Sequence, residues 1–98
     1  MLKALAYIGA NNLTGKVDID VIKSVAIKHF PDGFSVQSSQ GCWDGGHEDS
    51  VIVSRNGDAS PDFRLRWDAF CDDVCVAAEQ NAILVEYLQV EGGLRTRK

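Results

Sequence analysis

The sequence predicts an α+β domain of order β-α-β-β-α-β: the ferredoxin-like split βαβ arrangement, an antiparallel sheet of order 4-1-3-2 with both helices on one face. Three observations carry that prediction. Two segments repeat apolar residues at helical spacing, while four shorter ones read as strands. Strong turn chemistry separates them at Asn11-Asn12, Pro31-Asp32-Gly33 and Asn56-Gly57. Right-handed crossovers, applied to this order, then place an intervening strand between the members of each parallel pair.

The first strand is the apolar run Leu2 to Gly9, which ends at a glycine. Ala10 to Lys16 reads as a loop. A helix follows, capped by Asp18 and running to about His29, with Val21, Ile22, Val25, Ala26 and Phe30 as its apolar stripe. Pro31 ends it, because the residue before a proline is pushed out of helical geometry. Phe34 to Gln40 is the second strand, Gly41 to Asp49 a glycine-rich hairpin, and Ser50 to Arg55 the returning strand, with Asn56-Gly57 as a turn. Ser60-Pro61-Asp62 supplies cap, first-position proline and first-turn acid for the second helix. Its stripe is Phe63, Trp67, Phe70, Cys71, Val74 and Ala78, carried to about Gln80. Ala82 to Val90 is the last strand. Residues 1–91 therefore form one domain, and 92–98 a flexible basic tail with Arg95, Arg97 and Lys98.

Composition narrows the function classes. The chain has 98 residues, 45% hydrophobic and 24% charged, as in ordinary globular domains. A net charge of −4 argues against general nucleic-acid binding, whose affinity comes from phosphate neutralisation. No segment approaches the apolar length of a membrane span, and the opening MLKALAYIGANN is interrupted too soon for a secretory signal. Three cysteines, an odd count, suit a reducing compartment, so the expected location is cytoplasmic.

The hairpin carries more functional groups than a turn requires. In the predicted topology the first two strands run parallel, so the loop after strand one and the hairpin lie at the same edge. Asn11, Asn12 and Thr14 are then expected to approach Gln40, Trp43, His47, Glu48 and Ser50. That mixture of amides, hydroxyls, an aromatic plate, an imidazole and a carboxylate suits a planar polar ligand, one that stacks and accepts a few directed contacts. Each of these polar residues also has a bland reading as a turn former. Apolar residues on both faces of the strands (Leu5 and Tyr7, Leu84 and Leu88) predict a homodimer or higher homo-oligomer formed partly through the open sheet face.

Other chemistry is weaker. Cys71 and Cys75 lie four apart on one helical face, but no Cys-x-x-Cys knuckle accompanies them, so core filling is expected and no metal or cofactor is assigned. His47, beside Glu48 and Asp49, could serve as an acid–base group, with Cys42 and Ser50 as the only near nucleophiles. His29 is expected to meet the carbonyl end of its helix, and Trp67 to be core. No phosphate loop, dinucleotide fingerprint, metalloprotease helix or calcium loop occurs.

The segments AYIGANN and FPDGFSV, then a glycine, Trp43, Glu48 and Ser50 ahead of an apolar strand, resemble a family of small uncharacterised α/β domains found in bacteria and phages. The resemblance covers most of the chain, implies the ferredoxin-like fold and brings no catalytic residues. In general character the chain is also similar to phage proteins that defeat host defences, some of which are oligomeric sponges for nucleotide signals. The expectation is a non-enzymatic oligomeric binding protein that sequesters a small polar or nucleotide-like ligand. The alternatives are a protein–protein inhibitor of a host enzyme and a small enzyme using His47.

Overall fold

A computed structural model describes residues 1–97. The Trp43 side chain and Lys98 lie outside the described parts, and with them the expectations that Trp43 stacks on a ligand and that Lys98 joins the basic tail. The elements are β1 (Leu2–Ile8), α1 (Ile19–His29), β2 (Ser35–Trp43), β3 (Gly46–Gly57), α2 (Pro61–Ala77) and β4 (Leu84–Gln89). They form one antiparallel sheet in the order β2-β3-β1-β4, the ferredoxin-like arrangement read from the sequence.

Alternation along β1 decides which face is covered. Leu2, Ala4, Ala6 and Ile8 are fully buried under the helices, while Leu5 and Tyr7 turn to the open face. Small alanines at the sheet centre let the helices approach closely, and the larger side chains come from above. Trp67 is the keystone: its ring lies 5.0 Å from Phe70, 5.4 Å from Phe30 and 6.3 Å from Phe63, centroid to centroid. Arg55 and Arg66 each place a guanidinium over the Phe30 ring, at 5.1 and 4.8 Å. The aromatic cluster is thus sealed at its rim by cations whose stems are packed against it.

Helix boundaries follow local chemistry. Ser60 caps α2 by accepting the Phe63 N–H through its hydroxyl at 3.4 Å, with Pro61 in the first turn. Asp18, at the start of α1, instead accepts a hydrogen bond from Asn11 Nδ2 at 2.7 Å, so it ties the helix to the preceding loop.

Two expectations are corrected. Asn56-Gly57 is not a turn but the end of β3, paired with Lys3 and Leu2. Glycine is required there because a Cβ would lie 2.6 Å from the Phe63 ring. The hairpin 41–49 is present, but the strands run further into it than Gln40 and Ser50: the ladder continues to Trp43 opposite Gly46, and only Asp44 and Gly45 turn. Both have positive φ, 45° and 75°, the geometry of a type I′ turn, whose twist matches that of the strands. Because β1 stops at Ile8 opposite Val51, the rungs from Ser39–Ser50 to Trp43–Gly46 project beyond the sheet as a two-stranded arm. The longest dimension is 46 Å against 28 and 24 Å, and the radius of gyration of 14.4 Å exceeds the ~13 Å of a compact 100-residue domain.

Charge pairs fix the helices to each other and to the turns. His29 of α1 lies 2.8 Å from Asp73 of α2, with Lys28 at 3.6 Å from the same oxygen. Arg55 binds Asp32 at 2.7 Å and also donates to the Gly33 carbonyl. The His29 bond holds the Asp73 carboxyl below the usual carboxylate range, the Arg55 bond does so for Asp32, and the Ser60 hydroxyl for Asp58. A carboxylate depressed in the folded state contributes stability that is present above its unfolded value and is lost as pH falls through the folded one. Melting temperature is therefore expected to fall on acidification below the ordinary carboxylate range. Asp73→Asn should flatten part of that dependence in a series of thermal melts.

Candidate functional site

The edge where β1 and β2 end is shaped by a rigid loop. Asn11 is 7% exposed and fully engaged: its Oδ1 accepts from the N–H groups of Leu13 (2.7 Å) and Thr14 (3.1 Å), and its Nδ2 reaches Asp18. Its backbone closes the same loop through Lys16 and Gly15. This is an Asx-type turn, in which the side chain does the work of a backbone turn. Thr14 accepts the Lys16 N–H, and Asn12 is exposed with its N–H on the Glu79 carbonyl.

From below, Gln80 pins the exit of β1. Its Oε1 accepts the Gly9 N–H at 3.2 Å, and its Nε2 lies 2.8 to 3.3 Å from the carbonyls of Gly9, Ala10 and Ala78. Glu79, at φ 51°, makes the tight reversal after α2 that aims Gln80 inward.

Between this loop and the base of the arm lies a cavity of about 700 Å³. Gly15, Lys16, Val17 and Ile19 form one wall; Ser38, Ser39 and the run His47 to Val51 form the other. Loop and hairpin do meet, as topology implied, but the loop presents Lys16, while Asn11, Asn12 and Thr14 are outside the lining. Of the hairpin residues, His47, Glu48 and Ser50 line the cavity and Gln40 does not.

Strand alternation sorts the arm. Gln40, Cys42, His47 and Asp49 share the helix side, with Gln40 donating to Asp49 at 3.3 Å; Gly41, Glu48 and Ser50 share the open side. Glu48 and Ser50 also line a smaller cavity of about 270 Å³ with Tyr7, Gly9 and Gln80. Glu48 closes over Gly9, where a Cβ would stand 3.0 Å from its Oε1.

The lining therefore includes one lysine, Lys16, and two acids, Asp49 on the helix side of the ladder and Glu48 on its open side. Ser38 and the His47 imidazole share the side of Asp49, Ser39 and Ser50 that of Glu48, and Val17, Ile19 and Val51 add apolar surface. A volume of this size falls in the small-molecule range, and a mixed lining of this kind fixes the orientation of a zwitterionic ligand. Sequence reasoning missed Lys16, Tyr7 and Gln80. A lone lysine closing an asparagine-rich loop was the available signal for the first; nothing in sequence announces the other two. The helix cysteines take no part. Cys71 is buried, its thiol pushed up to about 12 by desolvation, as a core residue's would be. Among the described residues no three histidine, cysteine or carboxylate groups are placed to hold one metal ion, and no helix is long and apolar enough to cross a membrane.

No family model matches the chain, and no curated protein is significantly similar to it. The AYIGANN and FPDGFSV pattern thus rests on sequence alone. Solved structures do match. A phage SAM lyase in its apo state superposes with TM-score 0.68 at 22% identity, covering 89% of this chain and 78% of the lyase. A phage SAM lyase in complex with S-methyl-5'-thioadenosine gives 0.61 at 20%, covering 90% and 80%. CutA from Synechococcus elongatus gives 0.54 at 13%, covering 91% and 76%. The expectation of a non-enzymatic protein is corrected by these matches: the architecture shared at TM-score 0.68 is that of a lyase, so nothing in the fold sets catalysis aside. What the chain shares with all three is the fold.

Proposed function

We propose that this protein binds S-adenosylmethionine, or a close sulfonium nucleoside, in the cavity beneath the arm and cleaves it as a lyase. The observation that carries the reading is the charged lining of that cavity: Lys16 on the loop wall, Asp49 on the helix side of the arm and Glu48 on its open side. Such a ligand carries a carboxylate for Lys16, and a sulfonium and an ammonium for the two acids. The serine hydroxyls suit its ribose, and the apolar surface its base. In a balanced step the ligand's own carboxylate oxygen attacks the carbon that bears the sulfonium: the new C–O bond closes a lactone as the C–S bond breaks, its electron pair stays on sulfur, and a neutral thioether leaves. No proton is transferred, so the work of the site is to bind and orient. The match to a lyase solved with a thioadenosine supports this choice of ligand class.

Association of protomers belongs to the same proposal. Leu84 and Leu88, exposed by 59% and 46%, flank Leu5 and Tyr7 on the uncovered sheet face, which supports a homo-oligomer packed there.

Isothermal titration with S-adenosylmethionine tests the binding step. Glu48→Gln and Lys16→Ala are each expected to weaken binding roughly tenfold, the loss of one charged contact of ~1.4 kcal/mol, with thermal melts unchanged. No heat of binding in the parent protein overturns the reading.

A further inference from the structure

We propose that the tip of the arm is a two-ligand site for a thiophilic divalent cation such as zinc or cadmium, held between the Cys42 thiolate and the His47 imidazole. The arm's register makes the pair. Trp43 and Gly46 flank the Asp44-Gly45 turn, so their backbones exchange hydrogen bonds. The next rung, Cys42 opposite His47, is then of the non-hydrogen-bonded kind, in which facing side chains lie closest, with Cβ atoms ~4.5–5.5 Å apart. Zinc bonds of ~2.3 Å to sulfur and ~2.0–2.1 Å to nitrogen place the two donors roughly 3.6 Å apart in a tetrahedral site. Two side chains on one rung span that gap.

A shallow cavity of about 480 Å³ lies over the pair, lined also by Gln40, Asp44 and Gly46. Both donors are exposed, so an ion can enter without rearrangement of the fold. The competing thiols are poorer ligands. Cys71 is buried and Cys75 half-buried, and desolvation raises both thiols, whereas Cys42 stands in solvent. Thiolate with imidazole selects soft and borderline ions over calcium or magnesium. Binding releases the thiol proton to solvent, and water fills the remaining positions. The site shares His47 with the lining of the larger cavity, but Cys42 lies outside that lining and the ion is tested without nucleoside, so either reading can fail alone.

The test is titration of the full chain with cadmium at neutral pH, followed by the ultraviolet thiolate-to-metal charge-transfer band. The parent is expected to show a saturable band at one ion per chain. Cys42→Ser should lose it, and His47→Ala should bind at least roughly tenfold more weakly, as expected when a metal site loses a supporting group. Circular dichroism should be unchanged, because both positions are exposed. A band that survives Cys42→Ser overturns the proposal. So does a His47→Ala titration that matches the parent.

Discussion

Trp67→Ala is expected to cost the domain ~3–5 kcal/mol of stability, the largest loss of any single substitution here. The side chain is fully buried and contacts three aromatic rings, and truncation of a buried tryptophan costs ~3–5 kcal/mol. A domain of this size has roughly 5–15 kcal/mol in total, so the loss consumes from about a fifth to nearly all of it. The damage should spread through Phe30, which rests on Trp67 and holds Arg55 and Arg66 at the rim. Trp67→Phe provides the contrast. Among the described residues the indole Nε1 is buried without a hydrogen-bond partner, so phenylalanine removes an uncompensated polar group along with some volume. Its cost should stay near 1.5 kcal/mol, the range of conservative core swaps. Urea denaturation of both variants measures the difference. Equal losses would mean that the indole's volume is not what the core depends on.

Gln80→Ala is the second large effect, and it couples stability to the site. One side chain satisfies the Gly9 N–H and three carbonyls at the point where β1 leaves the sheet. Removing it strands part-buried backbone groups at about 1 kcal/mol each, some 2–3 kcal/mol together. At roughly 4–8 °C per kcal/mol the melting temperature should drop by about 10–20 °C. Ala10 lines the cavity and Gly9 lies against Glu48, so ligand affinity should fall with it. Gln80→Glu keeps the shape and the acceptor but loses the donors, and should fall between the parent and alanine. A Gln80→Ala protein that melts like the parent would show that the clamp is dispensable.

Most of the fold was legible in the sequence, because buried elements leave periodic traces. Phe63, Trp67, Phe70, Cys71 and Val74 announced α2 and are its buried residues, and Ser60-Pro61 marked its start. Asp18 correctly marked the start of α1, although its carboxylate serves the loop. The arm was illegible for the opposite reason. From Ser39 to Asp49 almost every described side chain is exposed, so no apolar alternation records the ladder, and the run of glycines reads as loop. Asn56-Gly57 misled because its dipeptide chemistry is that of a turn, while the requirement it meets is clearance beneath Phe63, a contact between distant elements. For the candidate site, topology rightly brought loop and hairpin together, but which loop residue faces the cavity depends on how Asn11 folds the loop. Its own bonding turns Asn11 inward and leaves Lys16 on the wall.

The most direct measurement is incubation of the purified chain with S-adenosylmethionine, with S-methyl-5'-thioadenosine followed by liquid chromatography and mass detection. The lyase reading predicts time-dependent thioether that scales with protein and is lost in a folded Lys16→Ala, Glu48→Gln double variant. A folded parent that releases none, or a double variant that releases as much, would contradict it.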